Sequence, residues 1–346
     1  MIKTLTSWRG IFALCIVCFH FAMHEFDAMT MAGVTFFFML SGFLVTYKHS
    51  LIASVEQFYR RRMFRIFPLH LLTLVLMILL DLIQIHKFHY GWDLTLHVGL
   101  LQSWVPDEAV YYNYSIHSWF LSSLLACIIA TPLLVKLIAR SSRTTSWAAM
   151  SCACLVMLLL SLIPGERWHS YRYVFPIARL VDYSLGMLIG NAMRECSKPQ
   201  HVTLARATML ELGSLAIFAI FIALHTMGTG TVVQQLETSA LWWIPMSALI
   251  FTNAKLHGNE GIVGKILSLP PLLWLGEISF EVYILQKLVN NAFCYIIAPF
   301  FGHFGILIYD YSFACTVPLL IVVAWVVNRL FSHFMPLKKP STGNKA

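Results

Sequence analysis

Charged residues are scarce in this chain. Of its 346 residues only 12% are Asp, Glu, Lys or Arg, whereas 58% are hydrophobic. Soluble globular domains carry roughly 25% charged residues, so the composition excludes an ordinary soluble protein. With a mean hydropathy of +0.72, the sequence instead predicts an integral membrane protein.

Several motifs of common enzyme classes are missing. The sequence contains no HExxH, no GxSxG and no P-loop, which removes the commonest hydrolase and NTPase interpretations. Cys15 and Cys18 form a CxxC motif, but no second pair accompanies it and both residues fall in a predicted membrane helix. Zinc or redox chemistry is therefore not expected, and no metal is predicted.

Long apolar runs fill most of the chain. A hydrocarbon core about 30 Å thick is crossed by roughly 20 apolar residues in a helix. The predicted spans cover about 5–24, 33–49, 66–85, 116–139, 147–163, 174–194, 204–226, 238–254, 272–298 and 304–332. The run 91–104 is too short to cross and is expected to lie at the interface or to re-enter.

The sequence therefore predicts an all-α integral membrane protein, a bundle of about ten transmembrane helices. A single transmembrane domain is expected over 1–335, followed by a short basic cytoplasmic tail over 336–346. If the N-terminus is cytoplasmic, only Lys87, Arg167 and Arg172 of the 24 Lys and Arg residues fall in external loops. The positive-inside rule then predicts that both termini are cytoplasmic. This bias also explains the net charge of +8 without a nucleic-acid partner.

The first predicted span carries an arginine and a histidine, Arg9 and His20. They are eleven residues apart, which is three helical turns, so they share one helix face about 16 Å apart along the axis. Ionisable groups at such depth usually face a cavity or the bundle interior. The alternative is that Arg9 extends to lipid headgroups and that His20 is a hydrogen-bonded packing residue.

Other stretches add small and basic residues to this pattern. Ser41 and Gly42 in the second span allow another helix or a ligand chain to approach closely. Arg62 and Arg65 are three residues apart at the start of the third span, so both can face one anion, and guanidinium groups suit phosphate oxygens. The alternative interpretation is that Arg62 and Arg65 only anchor the helix on the cytoplasmic side, as the positive-inside rule describes.

Together these stretches resemble the membrane acyltransferase-3 family, whose members transfer O-acetyl or other short acyl groups onto carbohydrates of the cell envelope. The resemblance covers essentially the whole chain. The motifs that carry it, in chain order, are Arg9-Gly10, Ala13 and His20; Phe37-Phe38 with Ser41-Gly42-Phe43; Arg62, Arg65-Ile66 and Pro68; Trp119-Phe120-Leu121-Ser122; Arg179 with Gly186; and Leu275-Gly276, Ile278-Ser279-Phe280 and Tyr283.

The chain also departs from the family pattern. Many relatives have an acidic residue soon after the W-x-L-S stretch, where this chain has Ser123, Leu124 and Leu125, and many have a histidine where it has Gln286. Roles assigned to those family positions are therefore not carried over. Some relatives also contain a soluble esterase-like domain. Here the membrane part is expected to complete the acylation alone or to pass the acyl group to a separate periplasmic protein.

The resemblance implies an O-acyltransferase of the bacterial inner membrane. Its donor would be cytoplasmic acetyl-CoA or another short acyl-CoA, and its acceptor a hydroxyl of an extracytoplasmic polysaccharide or lipid-linked glycan. Donor-binding residues would be Arg9, Arg62, Arg65, Ser41 and Gly42. His20 would act as general base or as acyl carrier.

Three more ionisable residues in the spans have possible roles in that reaction. Arg179 or Lys287 would stabilise the oxyanion, unless Arg179 pairs with Asp182 and Lys287 extends outwards to solvent. Glu281 would orient His20 or pair with a cation.

A polytopic transporter is the competing class, with Arg9, His20 and Glu281 forming an ion or substrate path. Transporters often show internal repeats and broken helices in matching halves, and no such repeat is evident in this sequence. A purely structural membrane scaffold is disfavoured, because it would not need so many ionisable groups at depth.

Overall fold

The computed structural model describes residues 2–21, 23–48, 54–85, 91–161, 169–195, 202–228, 236, 240–303 and 312–334. Within these ranges the regular secondary structure is helical and no strand occurs, which confirms the predicted all-α class. The predicted tail at 336–346 lies outside the described residues.

We number the α-helices in chain order. They are α1 (Lys3–His20), α2 (Asp27–Lys48), α3 (Val55–Ile85), α4 (Asp93–Gly99), α5 (Glu108–Tyr111), α6 (Ser118–Arg140), α7 (Arg143–Ser161), α8 (Pro176–Glu195), α9 (Leu204–Met227), α10 (Trp243–Lys255), α11 (Ile262–Leu267), α12 (Pro270–Glu277), α13 (Ser279–Ala292), α14 (Ala298–Gly302) and α15 (Ser312–Phe334). Short 3₁₀ segments cover His24–Phe26, Gln102–Trp104 and Ala240–Trp242, and π-helical turns cover Ser170–Val174 and Phe293–Ile297.

Seven helices in the described part are long and apolar enough to cross a membrane, so the chain is a multi-pass membrane protein. These spans are Asp27–Tyr47, Val55–Ile83, Ser118–Arg140, Arg143–Leu160, Leu204–Met227, Ser279–Gly302 and Phe313–His333. The other three predicted spans coincide with α1, α8 and α10, which are helical but shorter or richer in charge. The count of ten and the orientation of the termini stay predictions.

Two helix boundaries differ from the sequence-based prediction. Helix α3 begins at Val55, well before the predicted start of its span at residue 66, so Arg62 and Arg65 lie inside a continuous helix. The predicted single span 272–298 is interrupted, because α12 ends at Glu277 and α13 begins at Ser279. At this break the Ser279 hydroxyl donates a hydrogen bond to the carbonyl oxygen of Gly276 (2.9 Å).

Helices α2 and α8 form the most extensive helix pair, and two glycines let them approach closely. A side-chain carbon on Gly42 would overlap the carbonyl oxygen of Tyr183, and one on Gly186 would overlap the carbonyl oxygen of Met39. Small residues at both crossing points bring the two backbones into contact. This contact fixes the face of α2 that carries Ser41.

Helix α1 lies centrally and packs against α2, α12 and α13. Most of its side chains are buried, Phe12 and Ala13 completely. Gly10 lies directly against the backbone of Gly276, so α1 crosses α12 at close range. As a result Arg9 lies within the bundle, whereas His20 is at the exposed end of the same helix.

The run 91–104 folds as α4 and a 3₁₀ turn, both too short to cross a membrane, as predicted. Its polar side chains bind the first turn of α6. Gln102 donates to the hydroxyl of Ser118 (2.9 Å), and the Ser103 hydroxyl donates to the carbonyl oxygen of Trp119 (2.8 Å). These bonds hold the run 91–104 against the start of α6.

Candidate functional site

A cavity of about 200 Å³ collects the three arginines that the sequence predicts for donor binding. Arg9 reaches it from α1, and Arg62 and Arg65 reach it from α3. Ser41 also lines this cavity, together with apolar walls from α2, α6 and α13. We call this space the arginine cavity.

Each guanidinium group in the arginine cavity has a neighbour that limits its orientation. Arg9 donates from Nη2 to the hydroxyl of Ser279 (3.1 Å). The guanidinium of Arg62 lies over the ring of Phe58, and that of Arg65 over the ring of Phe280, with distances to the ring centroids of 5.4 and 6.0 Å. Aromatic faces attract guanidinium groups and leave their N–H donors available at the edges.

Glu281 is the acidic residue that acts on these cations. It is buried, and its Oε1 accepts a hydrogen bond from Asn328 (3.0 Å), while Oε2 has no hydrogen-bond partner among the described residues. Its charge interacts with those of Arg9 and Arg65. These charge interactions are with cations, and the two roles expected from the sequence, pairing with a cation and orienting His20, stay predictions.

At its other end the arginine cavity is bounded by Phe120 and Tyr283, whose ring centroids are 5.2 Å apart. The Tyr283 hydroxyl donates to the carbonyl oxygen of His117 (3.0 Å), and the two rings lie 5.8 Å apart. The ring of His117 in turn lies 4.3 Å from that of His20, nearly perpendicular to it. A continuous series of contacts therefore joins the arginine cavity to His20.

His20 is exposed at the last residue of α1, whereas His117 is buried behind it, with 3% of its surface accessible. The His20 ring also interacts with the side chain of Gln286, and the charge of Lys287 acts on both histidines. Lys287 is thus close enough to His20 for its charge to act on that ring, while a role in stabilising an oxyanion stays a prediction.

Arg179 is completely buried in an ion pair. Its Nη1 lies 2.8 Å from Oδ2 of Asp182, whose other oxygen accepts a hydrogen bond from Trp243. Its Nε donates to the carbonyl oxygen of Tyr173, and its guanidinium lies 4.3 Å from that residue's ring centroid. The pairing with Asp182 was one of the two alternatives expected from the sequence. A role in stabilising an oxyanion stays a prediction.

Ser41 and Gly42 are adjacent in the chain but face different parts of the protein. Ser41 lines the arginine cavity, and its hydroxyl donates to the carbonyl oxygen of Phe37 (2.7 Å). Gly42 points away, into the contact between α2 and α8. Gly42 is therefore part of the helix contact, and the structure does not place it at the cavity as the sequence predicted.

His117 is not among the site residues predicted from the sequence. Its proximity to His20 arises where the end of α1 meets the residue before α6, a contact between distant parts of the chain that no local pattern reveals. For metal binding, the described residues contain no group of three or more His, Cys, Asp or Glu side chains placed to hold an ion.

Comparison with known proteins finds a family model, described as an acyltransferase domain, that matches residues 2–329. Acyltransferase MdmB of Streptomyces mycarofaciens is 26% identical over 325 residues, covering 83% of this chain and 79% of MdmB. O-acetyltransferase OatA of Staphylococcus aureus is 23% identical over 272 residues, covering 73% of this chain and 44% of OatA. The matched region is thus less than half of OatA. No solved structure matches the chain.

Proposed function

Because the chain belongs to the acyltransferase-3 family and is a membrane acyltransferase, we propose that it transfers an acetyl group from cytoplasmic acetyl-CoA to a hydroxyl of an extracytoplasmic glycan. The observation that carries this proposal is the arginine cavity, which is joined to His20 through Tyr283 and His117. The name of OatA supports acetyl as the acyl group and oxygen as the acceptor atom.

Donor binding is the first step that the arginine cavity suits. Coenzyme A carries several phosphate groups on one end and a long, thin thioester arm on the other. Arg9, Arg62 and Arg65 offer three guanidinium groups that can form charge-assisted hydrogen bonds with phosphate oxygens. The apolar walls then suit the arm, which would extend past Phe120 and Tyr283 towards His20.

Two reaction routes use His20 at the end of this path. As a general base, His20 takes the proton of the acceptor hydroxyl, the oxygen attacks the thioester carbonyl, the C–S bond breaks, and the leaving thiolate receives the proton. As an acyl carrier, a ring nitrogen attacks the carbonyl and expels the thiol, and the hydroxyl then takes the acyl group from His20. Both routes yield one ester and one free thiol.

The proposed site in the cell is the bacterial inner membrane. The positive-inside pattern supports a cytoplasmic position for the arginine cavity, where acyl-CoA is made. His20 lies about 16 Å further along α1 and is exposed, so a hydroxyl from the opposite side of the membrane can reach it. The acceptor would be a polysaccharide or a lipid-linked glycan, reached directly or through a separate periplasmic protein.

Replacing His20 tests the proposal. Wild type, His20→Ala and His257→Ala, which alters an exposed histidine away from the site, would be expressed at matched membrane levels. Ester-linked acetate on surface glycan would be measured by mass spectrometry, and acetyl-CoA binding on the purified proteins. We expect acetate with wild type and His257→Ala, none with His20→Ala, and binding retained in all three, because the role of His20 is chemical.

Two results would count against the proposal. Equal acetate with His20→Ala and wild type, above an empty-vector control, would make His20 a packing residue. Movement of a solute across proteoliposomes without any acyl transfer would favour the transporter alternative.

A further inference from the structure

His117 is a buried histidine whose ring nitrogens are unused. Only 3% of its surface is accessible, and neither Nδ1 nor Nε2 has a hydrogen-bond partner among the described residues. His97, also buried, shows the usual arrangement: its Nε2 donates to the carbonyl oxygen of Val110 (2.8 Å), and its Nδ1 faces the hydroxyl of Ser118 (3.4 Å). Buried polar atoms are nearly always paired, so the unpaired ring of His117 requires an explanation.

The position of the His117 ring is fixed by contacts that involve neither nitrogen. The backbone carbonyl oxygen of His117 accepts hydrogen bonds from the Tyr283 hydroxyl (3.0 Å) and from the backbone N–H of Phe120 (3.3 Å). The ring packs edge to face against both Tyr283 and His20, with interplanar angles of 76° and 85°. The structure therefore holds the ring firmly and leaves its polar atoms free.

The surroundings of His117 indicate which ligand would use those atoms. The ring separates the far end of the arginine cavity from His20, so an acyl group that moves from one to the other passes beside it. Arg179, another candidate donor in this region, is already engaged with Asp182 and Tyr173. A neutral imidazole carries one N–H and can therefore donate to a carbonyl oxygen.

We propose that His117 forms the binding subsite for the acyl carbonyl, with its ring N–H donating a hydrogen bond to the carbonyl oxygen of the acyl group beside His20. This inference rests on the proposed function and adds the group that holds the reacting carbonyl. The hydrogen bond strengthens as negative charge develops on that oxygen during attack. His117 keeps its proton and forms no covalent bond, so it serves both routes open to His20.

The decisive variant is His117→Phe, because phenylalanine keeps the ring and removes both nitrogens. It would be compared with His117→Gln, whose amide N–H lies near the position of Nε2, and with wild type, all as full-length protein in liposomes. The rate of ester-linked acetate formation on glycan would be measured from acetyl-CoA, together with the Kd of acetyl-CoA and the melting temperature.

For His117→Phe we expect a 10²- to 10³-fold loss of rate, the range seen when one oxyanion donor is removed. The melting temperature should not fall, because no hydrogen bond of the ring is lost, and the Kd of acetyl-CoA should stay within about threefold, because the arginines are intact. His117→Gln should recover at least tenfold of the lost rate. As a control, His97→Phe removes the hydrogen bonds that the His97 ring makes in the structure, and it should lower the melting temperature.

Wild-type rate in His117→Phe would overturn the carbonyl subsite while leaving the proposed acyl transfer standing. A parallel fall of rate and melting temperature in both His117 variants would also overturn it, since His117 would then be a packing residue. Absence of acetate transfer by wild type from acetyl-CoA would overturn the proposed function and the subsite with it.

Discussion

At the scale of single residues, the arginines of segment 60–65 differ in whether they line the arginine cavity. The segment Arg60–Arg65 contains four arginines, but only Arg62 and Arg65 line the cavity, whereas Arg60 and Arg61 are exposed elsewhere on α3. Arg62 and Arg65 are three residues apart, about one helical turn, so they share a face of α3. The spacing predicts that Arg62 and Arg65 act on one anion, and the structure places both at the cavity, while their binding of a donor stays a prediction.

Replacing Arg62 or Arg65 with alanine should weaken acetyl-CoA binding by about 10- to 100-fold, because a hydrogen bond to a charged group contributes about 1.5–3 kcal/mol. Arg61→Ala, which alters an exposed neighbour, should leave the Kd unchanged. Titration of the purified variants with acetyl-CoA measures this difference. Equal losses at positions 61 and 62 would mean that the segment acts through its general positive charge.

The buried ion pair of Arg179 and Asp182 should contribute to stability only while both partners are present. Asp182→Leu leaves the guanidinium without its partner inside the bundle and should destabilise the protein by about 3–5 kcal/mol, while the double variant Arg179→Leu/Asp182→Leu should recover much of that loss. Melting temperatures test both expectations. Acyl transfer by a folded double variant would assign Arg179 a structural role, and its loss would support the role in stabilising an oxyanion.

At the scale of helices, the close contact between α2 and α8 depends on Gly42 and Gly186, which have no side chain. Gly42→Ala should lower the melting temperature and the yield of folded protein, because the new methyl group would overlap the carbonyl oxygen of Tyr183. Gly213→Ala in α9 is the matched control, since nothing lies within 4 Å of the new carbon there. Unchanged stability in both variants would show that α2 and α8 can separate without cost.

The same scale shows what a sequence can and cannot predict. Hydropathy located the long apolar helices, because each one contains an apolar run long enough to cross a membrane. It missed the break between α12 and α13, which depends on hydrogen bonding around Ser279, and it began α3 too late because charged residues precede the apolar run. The contact of His20 with His117 was also missed, since it joins helices that are distant in the chain.

At the scale of the whole molecule, a folded segment covers the start of α6 and depends on His97. This residue lies outside the membrane-spanning helices, and burial lowers the pKa of His97 from its ordinary value of 6.5, although the hydrogen bond to Val110 and the charge of Asp93 oppose the shift. The folded state therefore favours the neutral ring. The contribution of the neutral His97 ring to the free energy of unfolding is complete above pH 6.5 and is lost progressively as the pH falls below that value.

Acidification should accordingly destabilise this segment. Between pH 7.5 and pH 5.5 we expect the melting temperature of wild type to fall more than that of His97→Gln, because the glutamine cannot take up a proton. Other titrating groups affect both proteins alike, so the difference reports on His97. A greater fall in His97→Gln would contradict the assigned direction of the pKa.

The excess of positive charge in the arginine cavity has a consequence for turnover. Three guanidinium groups line the cavity, and among the described residues the carboxylate of Glu281 acts on two of them, Arg9 and Arg65, so the cavity would attract anions whether or not an acyl group is attached. Spent coenzyme A keeps every phosphate of its thioester and should compete with fresh donor for the same arginines. The rate of such an enzyme would follow the ratio of acylated to free coenzyme A in the cytoplasm, which would link envelope modification to the metabolic state of the cell.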